Sequence, residues 1–153
     1  MSPKALTLRQ YKREGISVKN DLSEKQVREA IKTWLKRNGW GLNLEVKPTH
    51  APGCDIQAQN NKSHSRYFFI EVKGGPWHEV SMVYALGQIV TRMKVIAKHA
   101  YLYGIGLPHS SAKKAVKRIP WQVLKRLCLY VFSVDLTGWV TRYSWKDAKT
   151  EQE

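Results

Sequence analysis

The sequence predicts an α/β fold, a mixed β-sheet flanked by helices, and three observations carry that prediction. Two stretches have helical apolar periodicity, one after Ser23 and one from about Val80. Short apolar runs of strand length stand between and after them, bounded by Gly, Pro and Asn. The order is helix, three strands, helix, strand, helix, strand, strand. A meander that later gains strands through helical crossovers gives a sheet with both parallel and antiparallel pairs.

Each element has its own signal. Residues 1–20 are polar and basic without periodicity, an arm ahead of a domain over 21–145. Ser23 with Gln26 three residues on is a capping-box pattern that opens a helix. Val27, Ala30, Ile31, Trp34 and Leu35 form its apolar stripe, and Gly39 ends it. Lys25, Arg28, Lys32, Lys36 and Arg37 lie mostly off that stripe, as a solvated face or as phosphate contacts. Leu42 to Val46 alternates as a strand stopped by Pro48; Pro52-Gly53 turns the chain into a second strand, Cys54 to Ala58. A polar loop leads to the third strand, Tyr67 to Val72, and Gly74-Gly75-Pro76 breaks the pattern.

From Val80 to His99 the period is helical again, with Val83, Leu86, Ile89, Val90, Met93 and Ile96-Ala97 on one broad face. Ala100 to Leu107 reads as the fourth strand. Ser110 to Leu127 reads as helix, with Pro120 starting a second piece. Leu129 to Val134 is a buried strand, and Trp139 to Tyr143 an edge strand after the Thr137-Gly138 turn. Residues 146–153 read as a polar tail that frays.

The chain of 153 residues suits one domain. Its 26 Lys and Arg against 12 Asp and Glu leave a net charge of +14. That excess calls for a polyanionic partner, and nucleic acid leads because phosphate neutralisation supplies most non-specific affinity. The cations are spread along the chain, unlike those of a membrane-surface helix, and no membrane partner is expected. Cys54 and Cys128 lie far apart without metal-ligand spacing, so buried free thiols are expected. With no signal-peptide pattern and no run of spanning length, the expected location is soluble and cytoplasmic.

The chemistry concentrates around Asp55 and Glu71-Val72-Lys73. Side chains alternate along a strand, so Glu71 and Lys73 share a face. With Asp55 entering the neighbouring strand, two carboxylates and an ammonium converge. Carboxylate oxygens suit Mg²⁺ or Mn²⁺, and the ammonium can orient water and offset charge on a phosphate. Asp55 as a turn cap and Glu71–Lys73 as a surface pair are the plainer readings. The histidines, His50, His64, His78, His99 and His109, lack an i, i+4 partner, and none is assigned to catalysis. Trp34 belongs to the core stripe; Trp40, Trp77 and Trp121 are expected to pack, with base stacking as the functional alternative.

These pieces resemble the PD-(D/E)XK nuclease superfamily, which has the restriction-endonuclease-like fold and includes small Holliday-junction-resolvase-like nucleases. The resemblance spans roughly residues 22–107: an acid at the start of strand two, Glu-x-Lys at the end of strand three, and helices carrying Glu24 and Gln88. It implies an α-β-β-β-α-β core, followed here by a helix and strands. It implies that Asp55 and Glu71 bind Mg²⁺ or Mn²⁺, that Lys73 assists the attacking water, and that Glu24 reaches the metal, with Glu29 as its rival. Gln88 matches a glutamine near the site, and Arg92, one turn on, is placed to hold a phosphate. The family often has Pro before the Asp; here that position is Cys54. The expected activity is metal-dependent endonucleolytic hydrolysis of DNA, including branched or structured DNA, with RNA and a homodimer left open. The competing class is a non-catalytic nucleic-acid-binding module on a nuclease-like fold.

Overall fold

A computed structural model describes residues 22–46, 54–94 and 98–153. The basic arm of residues 1–20, His50, the turns at Pro48 and Pro52-Gly53, and Ile96-Ala97 lie outside the described residues. The fold is α/β. Six strands, β1 (Leu42–Val46), β2 (Ile56–Gln59), β3 (Arg66–Val72), β4 (Ala100–Pro108), β5 (Leu129–Val134) and β6 (Val140–Tyr143), form one open sheet in chain order. The pairs β1–β2, β2–β3 and β5–β6 are antiparallel, while β3–β4 and β4–β5 are parallel. Among the described residues five helices accompany it: α1 (Glu24–Arg37), α2 (Glu79–Thr91), α3 (His109–Arg118), α4 (Trp121–Leu127) and α5 (Trp145–Gln152).

Helix α1 starts at the predicted capping box. Ser23 Oγ accepts from Gln26 N at 3.2 Å, and Gln26 Oε1 accepts from Ser23 N at 2.9 Å. Each satisfies a donor left over at the helix start. Val27, Ile31 and Leu35 are fully buried and meet Phe68, Ile70, Val72 and Phe132 on one sheet face. The close approach needs β4 to be bare on that face. A Cβ on Gly106 would collide with Ile31 Cδ1, and one on Gly104 would stand 2.6 Å from Phe132 Cε2. The opposite face carries Phe69, Tyr103, Ile105, Leu129 and Val131 and is covered by residues of α2, α3, α4 and α5. Central β3 is therefore buried on both faces from Phe68 to Val72.

Several boundaries differ from the sequence reading. Helix α2 stops at Thr91 instead of running to His99; Arg92 N and Met93 N bond back to Ile89 and Val90 carbonyls in a final tight turn. Lys94 N then donates to Tyr103 Oη at 3.0 Å, which ties the exit to β4. Its buried side is Met82, Ala85 and Ile89, while Val83 and Val90 point outward. Of the face read from periodicity, Ile89 is buried and Leu86 and Met93 pack against the same core. Among its described residues only Val83 and Val90 fall outside that core, because apolar residues surround this helix. Residues 146–153 are no frayed tail. Ser144 and Asp147 form a second capping box, Ala148 is buried, and Gln152 Nε2 donates to Val116 O at 2.8 Å and Ile119 O at 2.7 Å. Cys128 is exposed at the left-handed cap of α4, whereas Cys54 is buried as expected. Among the described residues no helix is long and apolar enough to cross a membrane.

Phe132 joins the layers, with its ring 5.3 Å from Trp34 and 5.4 Å from Phe68, both edge-on. Phe132→Ala is expected to cost about 3–5 kcal/mol through lost burial and an unfilled cavity. Urea unfolding of the purified protein measures this directly.

Candidate functional site

The site lies at the carboxyl end of β3, where the sheet changes from antiparallel to parallel neighbours. Pairing places Ile56 opposite Ile70, and continuing that register sets Asp55 opposite Glu71. At that point β2 has bent away, and Asp55 Oδ2 accepts from Val72 N at 2.7 Å. The carboxylate thus replaces the missing strand partner. Glu71 follows the alternation of Tyr67 and Phe69 and faces the α2 layer, with only 2% of its surface exposed. Arg92, just past the last turn of α2, donates from Nη1 to Glu71 Oε1. Lys73 is half-buried one strand step beyond, its backbone N–H on Gly106 O at 2.9 Å.

These neighbours set the protonation of Glu71. Burial, then the charge of Asp55 and hydrogen bonding with it, push the carboxyl up to about 7; Arg92 and Lys73 pull the other way. Two carboxylates held this close resist ionising together unless positive charge comes between them. Cys54 shares the pocket. Burial and the nearby Glu71 push its thiol up to about 11, against a lowering by Arg92. It stays a neutral thiol at ordinary pH.

The structure brings Asp55, Glu71, Lys73 and Arg92 together. Gln88 lies one turn before Arg92, half-buried, and its Oε1 is buried without a hydrogen bond from the described residues. Arg92, read as a phosphate contact, engages Glu71, the buried acid of β3. Glu24 is not drawn into the pair. Its helix covers the opposite sheet face, and among the described residues no three His, Cys, Asp or Glu side chains converge as a metal cluster. Its backbone nevertheless borders the site's edge: a Cβ on Gly74 would stand 2.6 Å from Glu24 N. Glu29 is exposed more than one turn further along α1. Lys25, Arg28 and Lys32 share the side of α1 defined by i, i+3 and i+7 spacing, apart from the carboxylate pair.

Two participants were missed. Cys54 reads as an ordinary apolar residue, although its place beside Asp55 was the available signal. Ser111, in the first turn of α3, lines a small cleft with Lys73, Trp77, His78 and Ser81. Its hydroxyl is buried without a hydrogen-bond partner among the described residues; a serine pair after the Pro that ends β4 was the hint. His78 sits at the N-cap of α2 without a side-chain cap bond. Among the described residues His64, His99 and His109 have local roles, such as His109 Nδ1 at 2.9 Å from Ser133 Oγ.

As a fit for a hard cation, the donor set is two carboxyl groups at the mouth of a buried strand. Mg²⁺ characteristically takes one or two protein carboxylates and keeps water on its other positions. Asp55 and Glu71 meet that requirement. No family model matches the chain, and no match was found among curated proteins or solved structures.

The raised Glu71 carboxyl has a thermodynamic consequence. Between its ordinary value of 4.5 and about 7 the folded protein holds a proton that the unfolded chain has released. The metal-free protein should therefore lose stability as pH rises through that window. Urea midpoints measured in a chelator from pH 4 to 8 should fall, and Glu71→Gln should flatten the slope. An unchanged slope in the variant would assign the effect elsewhere.

Proposed function

We propose that this chain is a metal-dependent endonuclease with a restriction-endonuclease-like core that hydrolyses phosphodiester bonds in DNA. The observation that carries this reading is the buried Glu71 carboxyl held beside Asp55 at a strand end, with Lys73 and Arg92 next to it. A carboxylate pair of this kind is costly for the fold and useful to a divalent cation. Asp55 and Glu71 are the residues that would hold Mg²⁺ or Mn²⁺, and Glu24, whose backbone N borders Gly74, is the further acid proposed to serve the cation. When bound, the cation supplies an activated water and offsets charge on the reacting phosphate.

The chain's own groups do the rest. Lys73, on the same strand face as Glu71, positions the attacking water and neutralises developing phosphate charge. Val72 N–H holds Asp55 in place through its 2.7 Å bond. Gln88 offers a carbonyl oxygen unpaired among the described residues near the same end of α2. The net charge of +14, with Lys25, Arg28 and Lys32 on α1, favours a nucleic-acid backbone as the polyanion. Branched or otherwise structured DNA is included in the proposed substrate class.

One observation favours a second reading, a nucleic-acid-binding module without catalysis. The Arg92 guanidinium already compensates Glu71, which reduces the demand for a cation. Labelled linear, branched and single-stranded DNA, and RNA, incubated with Mg²⁺, Mn²⁺ or chelator, separates the two. Cation-dependent cutting of DNA is expected, with Asp55→Ala and Lys73→Ala each lowering it by about 10²-fold or more and leaving binding largely intact. Cutting retained in both variants would sink the assignment; binding without cutting under any cation selects the module.

A further inference from the structure

Helix α2 carries two apolar stripes where a surface helix needs one. Met82, Ala85 and Ile89 face the sheet. Val80, Val83, Tyr84, Gly87 and Val90 recur at i, i+3, i+4, i+7 and i+10, the spacing of a packed face, and they face outward. Val80 is 66% exposed, Val83 56%, Tyr84 66% and Val90 50%. These are four of the seven large apolar side chains exposed among the described residues. A helix that is apolar all round belongs in an interior. Here the outer half of that interior is missing from the monomer.

We propose that the outer face of α2 is a homodimer interface, in which two copies of this helix pack against each other across a two-fold axis near Gly87. Charge selects the occupant. In a chain of net charge +14, α2 is the one helix among the described residues without a Lys or Arg. A nucleic acid needs cations to neutralise phosphate, and this face offers none. Two strongly basic copies, in contrast, meet at least electrostatic cost where neither carries positive charge.

Shape agrees. A two-fold contact must be complementary to itself. Gly87 stands at the middle of the stripe, and a Cβ there would meet nothing within 4 Å. It therefore serves no packing need inside the monomer, while glycine in a helix interior is unfavourable relative to alanine. At a helix crossing it lets two backbones approach. An antiparallel pair crossing at Gly87 sets Tyr84 of one copy against Val90 of the other, a large group against a small one. The four exposed side chains offer on the order of 400 Å² per copy, about half of a standard interface and placed where its apolar centre belongs.

On the nuclease reading, on which this consequence alone rests, the seam also sets the spacing of the sites. Gln88 and Arg92 flank the outer stripe on the same helix, so each catalytic pocket borders the shared axis. Such an enzyme presents two sites to the two strands of one substrate.

The test is the mass in solution by sedimentation equilibrium, without metal or nucleic acid. Wild type at tens of micromolar should weigh twice 17.7 kDa. Val83→Glu with Val90→Glu, both outward-facing and neutral to the monomer fold, should give a monomer with an unchanged circular dichroism spectrum. Gly87→Ala should weaken the dimer while raising the monomer's helix stability. A monomeric wild type, or a dimer unaffected by the paired glutamates, overturns the interface. Because the assay contains no substrate, either result leaves the nuclease reading standing.

Discussion

Strand β3 cannot tolerate an unpaired charge, and that constraint organises the molecule. It is covered on both faces, by α1 on one side and by the other helices on the opposite side. An isolated carboxylate in such a place costs several kcal/mol or else takes a proton. Glu71 escapes part of that cost because the strand ends next to it. Beyond Val72 the chain breaks at Gly74-Gly75, β2 bends at Asp55, and α2 delivers Arg92. Three independent elements therefore terminate at one point. Each termination leaves a polar group that another needs.

The same requirement explains the asymmetry of the two faces. On the α1 side, β4 offers Gly104 and Gly106, so side chains of α1 and β5 fill the space above bare backbone. That face is dense and wholly apolar at its centre. On the α2 side, β4 carries Tyr103, Ile105 and Leu107, which pack in the core with residues of the other helices. Cys54, Glu71, Gln88 and Arg92 lie on this side.

Most of the architecture was legible in the sequence because its signals are local. The Ser23/Gln26 capping box, the alternation of Leu42 to Val46, and Pro120 between two helices each report on a few neighbouring residues. What failed needed longer-range information. Val83 and Val90 have the spacing of a core stripe, but which stripe of α2 meets the sheet depends on β3 and β4. The C-terminal helix was missed because its buried contribution is chiefly Ala148, with Gln152 supplying hydrogen bonds instead of apolar area. In the site, Asp55, Glu71 and Lys73 were readable because strand periodicity places them on one face. The Arg92–Glu71 pair was not, since it joins residues 21 apart through a helix end whose position the sequence overran. The place of Glu24 in the first turn of α1 was legible from the capping box that opens the helix.

The unequal cysteines give the protein a chemical address. Cys54 is enclosed beside Glu71, and burial and that carboxyl push its thiol up to about 11, so it offers almost no thiolate to an electrophile. Cys128 sits exposed in the left-handed turn between α4 and β5. The chain has only these two. A maleimide dye or spin label added to the folded, unmodified protein therefore attaches at one defined point, on the edge where α4 hands over to the sheet, and leaves the carboxylate pocket untouched.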